Sequence, residues 1–228
     1  MEARSDIKTV MCSVLFLEIV EYSRMPVAGQ ISLKDRFNYS LSVALHDVPS
    51  TDRIVFNIDG GAVVNFIGAI DDALNVARSL YQMLCNEDAG QEPALRVRMG
   101  INLGPVRLVR DSNGQPDIVG DGINVAQRLT GFAQPNQILV SRAYYDAVLH
   151  LFPQHAALFH YQGARTDNHL REHEVYAVGD AGDEVPVPAQ GNFADTGKNQ
   201  SAVLPGHAGS TGIKKHILLV GVVAAFAG

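Results

Sequence analysis

The chain has no tryptophan and only two cysteines, and aromatic residues fill 7% of its 228 positions. Cys12 and Cys85 lie far apart, each inside an apolar-patterned stretch, and no Cys-x-x-Cys pair occurs. That excludes a disulfide framework and a cysteine zinc site, and it makes both thiols reduced core residues of a cytosolic domain. Positive charge is also scarce: 18 Lys and Arg against 24 Asp and Glu leave a net charge of -6, with no long basic run. A chain built to coat nucleic acid is thereby excluded, although a local basic pocket is not. The start, Met1-Glu-Ala-Arg-Ser-Asp6, lacks the apolar core and small-residue cleavage site of a secretory signal. There is no Walker loop and no Gly-x-Ser-x-Gly elbow.

What is present is enough apolar material, 46% of residues with 18% charged, for one ordinary core with a tail to spare. Periodic apolar residues end near Asp180, so residues 1–180 read as the folded domain. Residues 181–213, rich in Gly, Pro, Ala, Asp, Ser and Thr, read as a flexible linker. Residues 214–228 open with Lys214-Lys215 and then run wholly apolar from position 217. As a helix that run spans ~18 Å against a hydrocarbon core of ~30 Å. It is expected to be the start of a membrane anchor with the lysines on the cytosolic side. An apolar tail, or a short helix packed on the domain, is the competing reading.

From Lys8 to Val20 the run is continuously apolar and β-branched until Glu18, as in a strand buried on both faces that ends in an acid. Ile31, Leu33, Phe37, Leu41, Ala44, Leu45 and Val48 predict an amphipathic helix over 30–48, with Lys34, Asp35, Arg36 and Asn38 on its polar side. Strands near 53–58 and 62–67 flank Asp59-Gly60-Gly61, a hairpin turn in which Asp-Gly supplies positive φ angles. A helix follows over 69–84. Strands over 95–102 and 105–110 are separated by Gly104 and closed by the turn at 111–114. A helix opens at Gly120-Asp121-Gly122 and runs to Phe132. A strand at 138–141, a helix at 142–151 and edge strands near Phe159 and at 174–178 complete the domain. The first half is the split βαβ pattern, in which helices cover one face of a largely antiparallel sheet, an α+β arrangement.

Asn124 and Arg128 fall one turn apart on the last-but-one helix, placing an amide suited to a sugar beside a guanidinium suited to a phosphate. Such pairs also occur as plain surface residues, and Asp121 reads as an N-cap. His169-Leu-Arg-Glu172-His173 matches a zinc-peptidase pattern, but it runs into a strand and so reads as a solvated edge. His46, His150, His155 and His160 read as surface or partly buried.

Four segments, in order, resemble the class III nucleotidyl cyclases, the catalytic domains of adenylate and guanylate cyclases, over residues 8–178. They are Leu15-Phe-Leu-Glu-Ile-Val-Glu-Tyr-Ser23, the hairpin through Phe66, Val97-Arg-Met-Gly-Ile-Asn-Leu-Gly-Pro-Val106 and Gly120-Asp-Gly-Ile-Asn-Val-Ala-Gln-Arg-Leu129. A diguanylate-cyclase Gly-Gly-Asp-Glu-Phe signature is absent. The resemblance implies a ferredoxin-like core with appended elements. It also implies a head-to-tail dimer, with a second copy or another cyclase domain, whose sites lie across the interface. One subunit gives two acids for two Mg²⁺ or Mn²⁺ ions, and the other gives the helical Asn and Arg. In the implied reaction the ribose 3′-hydroxyl of a nucleoside triphosphate attacks the α-phosphate and expels pyrophosphate.

Carried over residue by residue, Asn124 orients the ribose, Arg128 stabilises the transition state and Asp117 accepts a hydrogen bond from the adenine amino group. Backbone amides of Ile19, Val20, Glu21, Tyr22 and Ser23 cradle the phosphates. Three positions depart from the family pattern. The first metal position holds Glu18 in place of Asp, still a hard oxygen ligand but one methylene longer. The second falls on Gly60, because the usual Gly-Asp order is reversed to Asp59-Gly60. Alternation then turns Asp59 to the wrong face unless the turn shifts register. The third is Phe56, where adenylate cyclases place a base-selecting Lys. Loss of a positioned catalytic group costs on the order of 10²- to 10⁴-fold in rate. The expected activity is therefore a weakened conversion of ATP to cyclic AMP. The rival expectation is an inactive pseudo-cyclase that binds nucleotide or regulates through dimerisation. A third is a dimeric scaffold in which Asn124 and Arg128 only make interface hydrogen bonds.

Overall fold

The computed structural model describes residues 9–87, 92–110 and 116–179. In chain order these form β1 (Thr9–Ile19), α1 (Val27–Ala44), β2 (Arg53–Ile58), β3 (Gly61–Phe66), α2 (Asp72–Glu87) and β4 (Val97–Arg110). Then come β5 (Pro116–Val119), α3 (Asp121–Phe132), β6 (Ile138–Ser141), α4 (Arg142–Leu151), β7 (Phe159–Thr166) and β8 (Glu172–Val178). The proposed linker and the apolar segment at 214–228 lie outside the described residues, as does the turn at 111–114. Among the described residues no helix is long and apolar enough to cross a membrane.

The strands build one sheet in the order β2-β3-β1-β4-β6-β8-β7, with β5 added to β4. All neighbours are antiparallel except the parallel pair β4 and β6. β1 is the central strand, bonded to β3 and β4 along its length. Its alternation divides the core in two. Leu15, Leu17 and Ile19 pack with Leu33, Phe37 and Leu41 of α1 and Leu74, Ala77 and Leu80 of α2. Cys12, Val14 and Phe16 face the other way, onto Ala126 of α3 with Ile54, Val63 and Val106. The helices therefore do not all share one face: α1, α2 and α4 contribute to the first core, while α3 backs the sheet alone. The buried Tyr144 of α4 ties the first layer together, donating to the Ile70 carbonyl at 2.9 Å and accepting from the Leu74 amide at 3.1 Å.

Where β4 crosses α3, Gly104 does not break the strand, which continues unbroken through it. A Cβ on Gly104 would stand 2.7 Å from the Gly122 Cα, so this glycine is there to let helix and strand touch. The second strand before α3 is instead β5, which pairs back on β4 from Arg107 to Arg110. α1 starts after Pro26, a residue suited to a helix entrance, and Ile31 is 57% exposed because it lies about half a turn from Leu33. β8 is interior, paired on both sides, so only β7 of the two expected edge strands is an edge. Cys12 is buried, its thiol pushed up to about 11 by that burial, but Cys85 is exposed on α2 and is not a core residue.

Candidate active site

A cleft of about 400 Å³ opens on the α3 side of the sheet, lined by Phe16, Glu18, Ile58, Asp59, Arg128 and Asp167, among others. Glu18 reaches it because β1 alternates: Cys12, Val14 and Phe16 are buried beneath α3, and Glu18, next in that row, emerges exposed at the strand end. Its cross-strand partner on β4 is Arg98, so the two side chains leave the sheet on the same side. The Arg98 Nε is buried without a partner among the described residues.

Asp59 reaches the same cleft without any shift in register. Ile58 pairs with Gly61, which leaves Asp59 and Gly60 as a two-residue turn outside the alternation of either strand. Only Gly60 uses a positive φ, at 68°; Asp59 does not, contrary to the sequence expectation. Gly60 sits against the Tyr22 ring, and its carbonyl accepts the Ile19 amide at 2.7 Å. Lys34 of α1 crosses to the turn and donates to the carbonyls of Ile58 at 2.9 Å and Gly61 at 2.5 Å. Burial lowers the Lys34 pKa, and the charge of nearby Asp59 opposes that shift. The Tyr22 pKa is raised by burial and then by the charge of Asp59, which is thus felt at both Tyr22 and Lys34.

The expected phosphate cradle is narrower than the sequence implied. The amide of Ile19 donates to Gly60 and that of Val20 to the Arg96 carbonyl at 2.8 Å, so neither is free for an anion. Glu21, in the left-handed region at φ 58°, begins the 3-10 turn Tyr22–Arg24. The amides of Glu21, Tyr22 and Ser23 donate to no backbone carbonyl among the described residues. The Glu21 carboxylate pairs with Arg24 at 3.1 Å and Arg96 at 3.6 Å.

α3 begins after Gly120, which is its N-cap; Asp121 is the first helical residue and pairs with Arg171 at 3.2 Å, so it is not the cap. Asn102 of β4 holds the helix start through the Gly122 carbonyl at 3.0 Å. Arg128 is half-buried and lines the cleft, whereas Asn124, one turn earlier, is exposed and does not. Phe56 packs with the apolar residues beneath α3 and is likewise outside the cleft lining. Asp117 lies on β5 opposite Val109; its side chain is outside the described residues. Within one chain the cleft thus gathers Glu18, Asp59 and Arg128, and leaves Asn124 and Phe56 apart.

Sequence reasoning missed Asp167, which is 8% exposed and 3.6 Å from Arg128. Its local signal is its place two residues before His169, where the His-x-x-Glu-His stretch begins. His173, taken for part of a solvated edge, has a side chain only 12% exposed and stands 3.1 Å from Asp167. His169 contributes its backbone amide to the same carboxylate. No group of three or more His, Cys, Asp or Glu side chains suited to a metal occurs among the described residues.

Residues 55–183 match the family model of the adenylate and guanylate cyclase catalytic domain. That match begins inside β2, after Glu18 and the turn that follows it. A Rhizobium meliloti (strain 1021) protein named as an adenylate cyclase is 29% identical over 154 residues, covering 64% of this chain. The chain spans 24% of that relative's length. The crystal structure of the adenylyl cyclase CyaB from P. aeruginosa superposes with a TM-score of 0.62 at 16% identity, over 77% of this chain and 96% of that one. An adenylate/guanylate cyclase/hydrolase from Silicibacter pomeroyi gives a TM-score of 0.58 at 24% identity, over 76% and 99%. These structural likenesses carry the fold. With its match across more than half of the sequence, the chain belongs to the adenylate and guanylate cyclase catalytic domain family.

Proposed function

We propose that this domain converts ATP to 3′,5′-cyclic AMP and pyrophosphate, with turnover weakened by its substituted carboxylate positions, and that it does so as a dimer. The observation that carries this is one cleft lined by two carboxylates and a guanidinium, Glu18, Asp59 and Arg128. Mg²⁺ and Mn²⁺ are hard ions, and Mg²⁺ is usually held by one or two carboxylates together with substrate phosphates. Glu18 and Asp59, both exposed oxygen donors on the cleft wall, fit such an ion arriving with a triphosphate. When bound, the ion supplies Lewis-acid stabilisation of the phosphoryl charge.

The chain's own groups then have separable tasks. Amides of Glu21, Tyr22 and Ser23 bind the terminal phosphates as an anion-binding turn. Arg128 faces the transferring phosphoryl group, where charge grows as the 3′-oxygen attacks and pyrophosphate leaves. Asn124, exposed one turn earlier on the same helix, orients the ribose. Asp117 is the base-reading acid, and with the apolar Phe56 at the other base-reading position ATP is favoured on one contact.

A regulatory pseudo-cyclase is the second reading, favoured by Glu18 in place of Asp and by Phe56, half-buried against the apolar cluster under α3. One experiment decides: the full chain is offered ATP, GTP, CTP and UTP with Mg²⁺ or Mn²⁺, with Arg128→Ala as the blank. Cyclic AMP above the blank is expected. Nucleotide binding without product selects the regulatory module, and no binding at all selects a dimeric scaffold.

A further inference from the structure

Arg128 is a long side chain with a mobile guanidinium, and holding it still before substrate arrives removes an entropy cost from the reacting step. Its Nε lies 3.6 Å from Asp167 Oδ2, an ion-pair contact. Asp167 is itself immobilised. Oδ1 accepts the amides of His169 at 2.8 Å and Arg171 at 3.0 Å, closing the turn between β7 and β8. Oδ2 also meets His173 Nε2 at 3.1 Å, from β8. The turn is anchored to α3 a second time, through Arg171 and Asp121 at 3.2 Å.

We propose that Asp167, braced by His173 and by its own turn, is a positioning residue that grips the Nε edge of Arg128 and leaves the Nη edge free for a phosphoryl group in the cleft. The carboxylate is ionised throughout the working range: burial alone would raise its pKa, but the amide of Arg171, the His173 ring and the amide of His169 hold it down to about 2. Asp167 touches no reacting atom on this view. It acts through Arg128, as outer partners orient the ligands of other charged sites. The use of Arg128 in catalysis rests on the cyclase reading above; the grip itself does not.

The test uses the full chain, ¹⁵N-labelled, with Asp167→Asn, Asp167→Glu and His173→Gln variants. In the unmodified protein the Arg128 Nε–H resonance, assigned with Arg128→Lys, is expected to be shielded from exchange with water. Asp167→Asn is expected to accelerate that exchange, and His173→Gln to do so to a smaller extent. In turnover, Asp167→Asn is expected to lower kcat about 10- to 100-fold with little change in KM for ATP, and Asp167→Glu to restore part of it. An unchanged Arg128 resonance in Asp167→Asn overturns the grip, and unchanged kcat overturns its use. If the unmodified chain makes no cyclic nucleotide, the cyclase reading fails by itself and the resonance alone decides the grip.

Discussion

At Gly60 two constraints meet: the backbone sits at φ +68°, and a Cβ would stand 2.9 Å from the Tyr22 ring. Restoring the family's Gly-Asp order by exchanging residues 59 and 60 therefore places a side chain where the fold has no room. Gly60→Asp is expected to destabilise the domain by about 1–2 kcal/mol, read as a lowered urea midpoint at unchanged slope. Asp59 already lines the cleft from the turn. Asp167 gives the residue scale a second prediction. Its pKa lies below the ordinary 3.8, so the stability that it contributes is fully present above about pH 4 and is lost as pH falls towards 2. The stability gap between the unmodified chain and Asp167→Asn is expected to close through that acid window, measured by urea unfolding at each pH. A gap that stays constant to pH 2 is the contrary result.

Among the elements, α3 carries Arg128 and rests on β4 through glycine contacts. Gly104→Ala puts a Cβ 2.7 Å from the Gly122 Cα and 2.8 Å from Asn102 Nδ2, so helix and strand must part. Overpacking of this kind costs about 1–3 kcal/mol, and calorimetry of the variant is expected to show it as a lowered Tm. The β2–β3 hairpin has a different support. Lys34 alone bridges its two carbonyls from α1, and Lys34→Met is expected to cost about 1–3 kcal/mol by leaving them without that donor. The same variant frees the turn that carries Asp59. Weaker Mn²⁺ binding, followed by electron paramagnetic resonance in the presence of ATP, is the expected companion effect; unchanged binding separates Asp59 from the metal.

For the whole molecule the decisive matter is whether a site is completed by one chain or by two. If carboxylates come from one subunit and Asn124 with Arg128 from the other, a dimer of Glu18→Ala with Arg128→Ala contains one intact site and one doubly damaged site. Mixing the two inactive variants is then expected to recover about a quarter of the unmodified turnover, since half of randomly paired dimers are mixed and each keeps one of two sites. If Arg128 serves the cleft of its own chain, mixing recovers nothing. A cyclisation assay on the mixture against each variant by itself distinguishes the two.

Much of the fold was readable from local pattern. β2 and α4 have the expected limits, and the alternation in β1 and the helical spacing of Leu33, Phe37 and Leu41 set which side of each element is buried. Local pattern misplaced what depends on distant partners: Gly104, read as a break, is a contact with Gly122, and Cys85, read as core, is exposed. The site divides in the same way. The sequence by itself determined the residue types, an acid ending a core strand, an acid in a glycine turn and an arginine on a helix. Which of them share a cleft was decided only by the tertiary structure, through the order β2-β3-β1-β4 and the docking of α3 across it. Helical and strand periods relate residues within a few turns of each other. The meeting of Glu18, Asp59, Arg128 and Asp167 depends on strand pairing across the chain, which no local period encodes.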